Sequence, residues 1–227
     1  MYSRTYGWAT DLVFVPAYDE GNAPFGVYPV YRVATTQSWQ KGDIDHDAAM
    51  IIVHPADQKR VQDVVGGLGL EWGRTPASGY LVRAIGYPAN PPYDGSTQRY
   101  CDGETFDDTR DTDEPYAIGL ACDMGSGSSG GPWVTDSSSM GEVANGLTSY
   151  GYVAEPGTFY SPSFGSFVGE LYQQTESIRP PSSQALISRD LDGYLWLYPR
   201  DGTTGWLPRQ RIGSGWNSMT AIINGAT

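Results

Sequence analysis

Short apolar runs broken by turn residues dominate the chain. Residues 8–15 are rich in apolar side chains and stop at Pro16. Residues 48–53 (AAMIIV) form an unbroken run that ends at His54-Pro55, the length of a buried strand rather than a helix. Residues 80–85 alternate and stop at Gly86-Tyr-Pro88, ahead of the turn-forming Asn90-Pro-Pro-Tyr-Asp-Gly95. Residues 146–152 and 157–160 predict two further short strands. One stretch has helical spacing: Phe164, Phe167, Val168, Leu171 and Tyr172 fall at i, i+3, i+4, i+7 and i+8. That stripe predicts a C-terminal helix packed on a β core. The expected class is all-β.

Composition then shifts. Residues 177–184 (SIRPPSSQ) have the proline and serine content of an extended linker. Beyond them, Asp192-Gly193 signals a hairpin, and residues 201–205 and 213–215 supply later turns. The expected organisation is a main domain over 1–177, a linker over 178–186 and a small unit over 187–227. The last is too short for a comfortable core of its own. The 29 glycines and 16 prolines agree with many turns and few long helices.

The chain has 26 acidic and 14 basic side chains, a formal net charge of −12. Such a surface repels phosphate backbones and anionic lipid, so neither nucleic acid nor a membrane is expected as a partner. No apolar run reaches 18 residues, so no helical span is predicted, and residues 1–6 do not lead into a signal core. Cys101 and Cys122 stand 21 positions apart with no histidine nearby. That pair makes a poor metal site. One structural disulfide is the better reading, against two independent thiols, and closing it would stabilise the fold by roughly 3 kcal/mol. No metal and no cofactor are expected. The acidic, lysine-poor and aromatic-rich composition fits an extracellular protein.

The most informative segment is Cys122-Asp-Met-Gly-Ser-Gly-Ser-Ser-Gly-Gly-Pro-Trp133. Residues 125–130 match G-x-G-x-x-G, but a dinucleotide loop must open a helix, and Gly131-Pro132 with strand-like residues follows instead. Residues 127–131 match G-x-S-x-G, whose hydrolase fold needs a histidine downstream, and none follows residue 54. Ser38-Trp-Gln-Lys41 matches S-x-x-K without the companion motifs of the β-lactamase group. The remaining reading is Ser-Gly-Gly-Pro beginning at Ser129. A serine attacking a peptide carbonyl needs backbone N–H donors aimed at the developing oxyanion. Gly127 and Ser129, two residues apart on a tight glycine loop, can both point theirs into one small cavity.

This segment resembles the active-site loop of the chymotrypsin-fold serine proteases, nearest to the secreted bacterial branch that includes the glutamyl endopeptidases. The resemblance extends over most of residues 7–175. Residues 8–18 look like the strand after the family's histidine loop, and residues 45–53 (DHDAAMIIV) resemble its aspartate segment. Residues 106–122 resemble its cysteine-bracketed loop, and Ser149-Tyr-Gly151 the strand that pairs with substrate backbone. The resemblance implies a double β-barrel and hydrolysis of peptide bonds in a protein or peptide substrate by a monomer. It implies Ser129 as nucleophile, with Gly127 and Ser129 as oxyanion hole and Asp47 as the acid that orients the imidazole. Asp43 and Asp45 beside Asp47 leave open a plain solvated turn. Asp123, six residues before Ser129, stands where trypsin-like enzymes carry the acid of the primary pocket, or is a surface residue. Thr148, with Ser149, Tyr150 and Gly151, falls in the substrate-binding region, where glutamyl endopeptidases have a histidine at the position of Thr148. Glutamate specificity is therefore in doubt.

The two histidines, His46 and His54, do not fit the family's order, in which the histidine loop precedes the aspartate. His46 is the neighbour of Asp47, and adjacent strand residues point to opposite faces. The expectation is a chain that starts inside its protein, with an incomplete first barrel and no general base. Its rate should then fall by on the order of 10⁴–10⁶. The alternative is a non-catalytic secreted pseudoprotease acting as a binding module. Residues 187–198 and 211–216 resemble part of one FG-GAP/VCBS-type propeller repeat, and 219–227 the start of another, which suggests a polysaccharide or protein partner for the tail. Asp190 and Asp192 hint at calcium, but the ligand spacing is absent and a surface turn is expected.

Overall fold

Two mainly antiparallel sheets and a tyrosine-lined wall position the region around Ser129. The computed structural model describes residues 2–3, 5–56, 59–75, 77–110, 117–180, 185–199 and 208–215. The turn at 201–205, the run at 219–227 and residues 181–184 of the expected linker lie outside the described residues. In chain order the elements begin with β1 (Tyr2–Ser3), β2 (Gly7–Trp8), β3 (Val13–Phe14), β4 (Tyr28–Thr35), α1 (Gln37–Lys41) and a 3-10 turn (Ile44–His46). Next come β5 (Ala49–Val53), α2 (Val61–Val65), β6 (Gly69–Leu70), β7 (Leu81–Gly86), β8 (Arg99–Glu104) and β9 (Phe106–Asp107). β10 (Ile118–Ala121), β11 (Pro132–Ser137), β12 (Gly141–Leu147), β13 (Thr158–Ser161) and α3 (Ser166–Thr175) complete the main unit. β14 (Ala185–Arg189), β15 (Leu195–Pro199) and β16 (Gln210–Gly213) form a separate three-stranded sheet.

The second half is a β unit built from a five-stranded sheet, β6-β12-β11-β7-β8, and a three-stranded sheet, β13-β10-β9. The period-2 pattern foreseen for residues 80–85 is realised in β7, which buries Val82 and Ala84 and exposes Leu81 and Arg83. Those inward residues meet Ile118, Leu120, Cys122, Met124 and Trp133 in one core. Continuous burial of Ile118, Gly119 and Leu120 marks β10 as covered on both faces. Cys101 on β8 and Cys122 just after β10 are joined as a disulfide, with Cα atoms 5.6 Å apart.

The first half is thinner. Among the described residues its sheet has the three strands β3-β4-β5. The 8–15 run is interrupted rather than continuous: β2 and β3 flank Asp11, whose φ is +64°. Residues 48–53 do form a strand, but not a buried one. β5 lies at the edge of its sheet, and Ile51 keeps 37% of its surface exposed. The strand expected at 146–152 ends at Leu147, and the chain continues extended with a single bridge between Tyr150 and Tyr160. The helical stripe is realised in α3, which buries Val168, Leu171 and Thr175 and contacts β4 and β5. Phe167 of α3 lies against the His46 ring at 4.7 Å.

β14 begins at Ala185, so strand replaces the last two residues of the expected linker. The Asp192-Gly193 hairpin joins β14 to β15. Asp190 caps it by accepting from the Asp192 and Tyr194 N–H groups, at 3.1 and 2.9 Å, and from the Trp196 indole at 2.6 Å. Its carboxylate is thus engaged by the turn.

Candidate active site

The 125–131 loop is held at both ends by backbone hydrogen bonds. On one side Ala89 N–H donates to the Ser126 carbonyl at 2.7 Å. On the other, Gly130 N–H donates to the Thr148 carbonyl at 2.7 Å and Thr148 N–H to the Gly131 carbonyl at 2.9 Å. Gly131 N–H closes back on Ser128 at 2.9 Å, which makes residues 128–131 a tight turn. Gly127 sits at φ +99°, and a Cβ there would stand 2.7 Å from Ala89 N and from Tyr87 O. Only glycine fits. Among the described residues neither Gly127 N–H nor Ser129 N–H donates to a backbone carbonyl. Ser129 is exposed, whereas the preceding Ser128 is buried with its hydroxyl unpaired.

Asp47 follows the 3-10 turn and is framed by two hydroxyls at the end of β4. Thr36 donates to the His46 carbonyl at 3.1 Å and Thr35 to the Ala48 carbonyl at 2.6 Å. Between these anchors the Asp47 carboxylate reaches the second half, where Ser149 Oγ donates to Oδ2 at 2.6 Å. Burial pushes the Asp47 carboxyl above its ordinary value, and the Ser149 hydrogen bond opposes part of that rise. Asp43 behaves differently: it caps the 3-10 turn through Asp45 N–H and lies 2.9 Å from His46 Nδ1. Asp47 of the acidic cluster thus contacts the second half. Ser149 is next to Thr148, which grips Gly130 and Gly131, so a short bonded path runs from Asp47 to the residue after Ser129.

Most of the chain is similar to solved proteases. It is 32% identical to Protease Anisep from Arthrobacter nicotinovorans over 71% of this chain and 73% of that one, with a TM-score of 0.63. It is 31% identical to a thermostable serine protease, AL20, from an extremophilic microorganism, over 74% and 76% of the two chains, with a TM-score of 0.65. The chain belongs to the trypsin-like serine proteases. A Glu endopeptidase at 16% identity, covering 78% and 77% with a TM-score of 0.62, shares the fold. No protein-family model matches the sequence, and no curated protein matches it.

Within this protease fold, the residues expected to bind substrate have distinct surroundings. Asp123 is exposed. Thr148 is buried, and its hydroxyl accepts from the Trp133 indole at 3.0 Å, so it braces the loop from behind. Tyr150 is bound to Tyr160 through both its N–H, at 3.3 Å, and its carbonyl, at 2.9 Å. Gly151, by contrast, has no backbone hydrogen bond among the described residues.

Both imidazoles have other neighbours. His46 Nδ1 lies 2.9 Å from Asp43 Oδ2 without hydrogen-bond geometry, and its ring lies tilted against Phe167. His54 meets the Tyr31 ring edge-on at 5.2 Å, and burial lowers its pKa. No hydrogen bond joins either ring to Asp47 or Ser129 among the described residues. Sequence reasoning assigned Ser149 to substrate pairing and missed its hydroxyl contact with Asp47. Asp108, a buried carboxylate behind Tyr150, carried no sequence signal at all, since it sits in an ordinary acidic stretch beside Asp107.

Proposed function

We propose that this chain carries the acylating centre of a secreted bacterial serine endopeptidase. Ser129 Oγ attacks the peptide carbonyl, its proton passes to a base, and the carbonyl electron pair moves onto oxygen. Gly127 and Ser129 N–H groups receive that oxyanion. Collapse expels the protonated amine and leaves an acyl-Ser129 ester, which water then hydrolyses. Asp47 is the carboxylate that orients and charges a neighbouring imidazole, and the 149–151 segment pairs with substrate backbone. The observation that supports this most is the Ser149–Asp47 hydrogen bond, because it ties the carboxylate to the strand that grips the Ser129 loop. The disulfide supports an extracellular setting. A peptide or protein substrate needs no cofactor for this chemistry. The β14–β16 sheet is read as one FG-GAP/VCBS-type repeat, accessory to the protease and available to a polysaccharide or protein partner.

Within residues 1–227 neither histidine serves as the base. The chain alone therefore reacts slowly, with a rate lower by on the order of 10⁴–10⁶ than a complete triad gives. The test is hydrolysis of peptide p-nitrophenyl esters with and without added imidazole. Acceleration by imidazole in the wild-type chain, lost in Ser129→Ala, supports the reading. Brisk turnover without imidazole that His46→Ala or His54→Ala abolishes would sink the claim about the base. A second reading, a non-catalytic binding module, is favoured by the engagement of both imidazoles elsewhere. It predicts no Ser129-dependent hydrolysis even in imidazole.

A further inference from the structure

The segment after Thr148 is not held by a regular ladder. Its inner edge is used by Tyr160, which accepts from Ser149 N–H at 2.9 Å and donates to the Tyr150 carbonyl at 2.9 Å. Its outer edge presents the Ser149 carbonyl and both backbone groups of Gly151 without a backbone partner among the described residues. An extended peptide can add there as a further strand. An open edge of this kind is only as good a template as its flatness, and a single bridge gives little control over it.

Behind this segment lies Asp108. It is only 1% exposed, and its Oδ2 accepts from two phenols of that segment, Tyr150 at 3.1 Å and Tyr152 at 2.7 Å. Tyr150 and Tyr152 are two residues apart, so both project from one side of an extended chain. Oδ1 accepts from Arg110 N–H at 3.0 Å, and Asp108 N–H donates to Ala117 at 2.8 Å beside β10. The carboxylate is thereby fixed to the core while it grips the segment. The Tyr150 ring also stacks on Tyr160, with centroids 5.3 Å apart and planes 13° apart. Burial and the bond to Asp108 push the Tyr150 phenol upward, which keeps it a proton donor.

We propose that Asp108 is a positioning residue that holds residues 149–152 flat for pairing with an extended peptide, and so sets the affinity for substrate residues upstream of the scissile bond. This rests on the protease reading above. It goes further by assigning selectivity for peptide length to a buried carboxylate that does not touch substrate. Three hydrogen bonds converge on that carboxylate, two of them from the phenols of the segment, and hydrogen bonds to a carboxylate are stronger than neutral ones.

The test uses the full chain carrying Ser129→Ala, so that bound peptide is not turned over. Affinities are measured calorimetrically for acetylated tetrapeptide amides ending in Phe, Glu or Arg, and for the matching acetylated amino-acid amides. Asp108→Asn and Tyr152→Phe are each expected to weaken the tetrapeptides roughly tenfold while leaving the single-residue amides within about twofold, the scale of one lost hydrogen bond to a charged group. Tyr152→Phe keeps the ring and its packing, so it carries the test if Asp108→Asn does not fold. Equal losses for long and short ligands, or unchanged tetrapeptide affinity in a folded variant, overturn the proposal. A parent chain that binds no tetrapeptide overturns the substrate-pairing reading itself, and the inference with it.

Discussion

The Ser149 hydroxyl donates to the Asp47 carboxylate across 2.6 Å, joining positions 102 residues apart in the chain. It is the point where the thinner first half is fastened to the segment behind the Ser129 loop. A half-buried carboxylate placed there is held against its own preference for water, and the hydroxyl offsets only part of that cost.

The consequence is a pH dependence with a definite sign. The folded pKa of Asp47 is raised above the unfolded 3.8, so protonation favours the native state. That contribution is complete below pH 3.8 and is lost as pH rises through the folded value. Asp47→Asn removes the titration and keeps an acceptor for Ser149. In thermal unfolding the variant should melt above wild type at neutral pH, with the gap closing toward pH 3.8. Ser149→Ala should instead destabilise at neutral pH, by about 1 kcal/mol for a partly exposed pair. An Asp47→Asn variant that is less stable than wild type at neutral pH would refute the burial argument.

Gly127 and Gly130 allow the loop geometry to be tested by contrast. Both have positive φ, +99° and +81°, but a Cβ at Gly127 meets Ala89 N and Tyr87 O whereas one at Gly130 meets nothing within 4 Å. Gly130→Ala should therefore cost only the left-handed strain, about 1 kcal/mol. Gly127→Ala must push the loop off residues 87–89 and misdirect an N–H aimed at the oxyanion. In added imidazole, labelling of Ser129 by a fluorophosphonate should fall by on the order of 10²-fold or more in Gly127→Ala, and far less in Gly130→Ala. Equal labelling of the two variants would remove Gly127 from the oxyanion site.

What was legible in the sequence follows from where the information is local. The β7 alternation and the α3 stripe are set by residues a few positions apart, so their period shows through. The burial of β5 is not local: AAMIIV looks like core, yet an edge place in a three-stranded sheet leaves Ile51 exposed. The same distinction governs the site. The 125–131 loop announces itself through glycines that its own backbone needs. Choosing Asp47 over Asp43 and Asp45 rests on a partner beyond β11 and β12. The grip of Asp108 on the 149–152 segment comes from tyrosines that lie 42 and 44 positions away.

The disulfide gives a stability prediction that does not depend on catalysis. Cys101 on the edge strand β8 is tied to Cys122, which is buried and stands seven residues before Ser129. Closing a loop over a separation of 21 residues restricts the unfolded chain and should stabilise the fold by roughly 3 kcal/mol. Urea unfolding with and without a thiol reductant should show that loss as a lower midpoint, and a Cys101→Ser, Cys122→Ser double variant should match the reduced protein. Coincident midpoints would mean that the crosslink contributes nothing.

His54 separates a structural imidazole from a catalytic one. It lies half-buried at the end of β5, edge-on to Tyr31, and burial lowers its pKa from 6.5. A depressed value means that the unfolded chain takes up the proton more readily than the native state. Stability from this group is therefore intact above pH 6.5 and is lost as pH falls through the folded pKa. His54→Gln should flatten that acid-side decline in thermal unfolding while leaving fluorophosphonate labelling of Ser129 unchanged. A base acting on Ser129 would show the opposite pattern: labelling would collapse on substitution, and its pH profile would follow the imidazole. Because the ring packs on Tyr31 and no hydrogen bond joins it to Asp47, the effect of the substitution should appear in the unfolding curve alone.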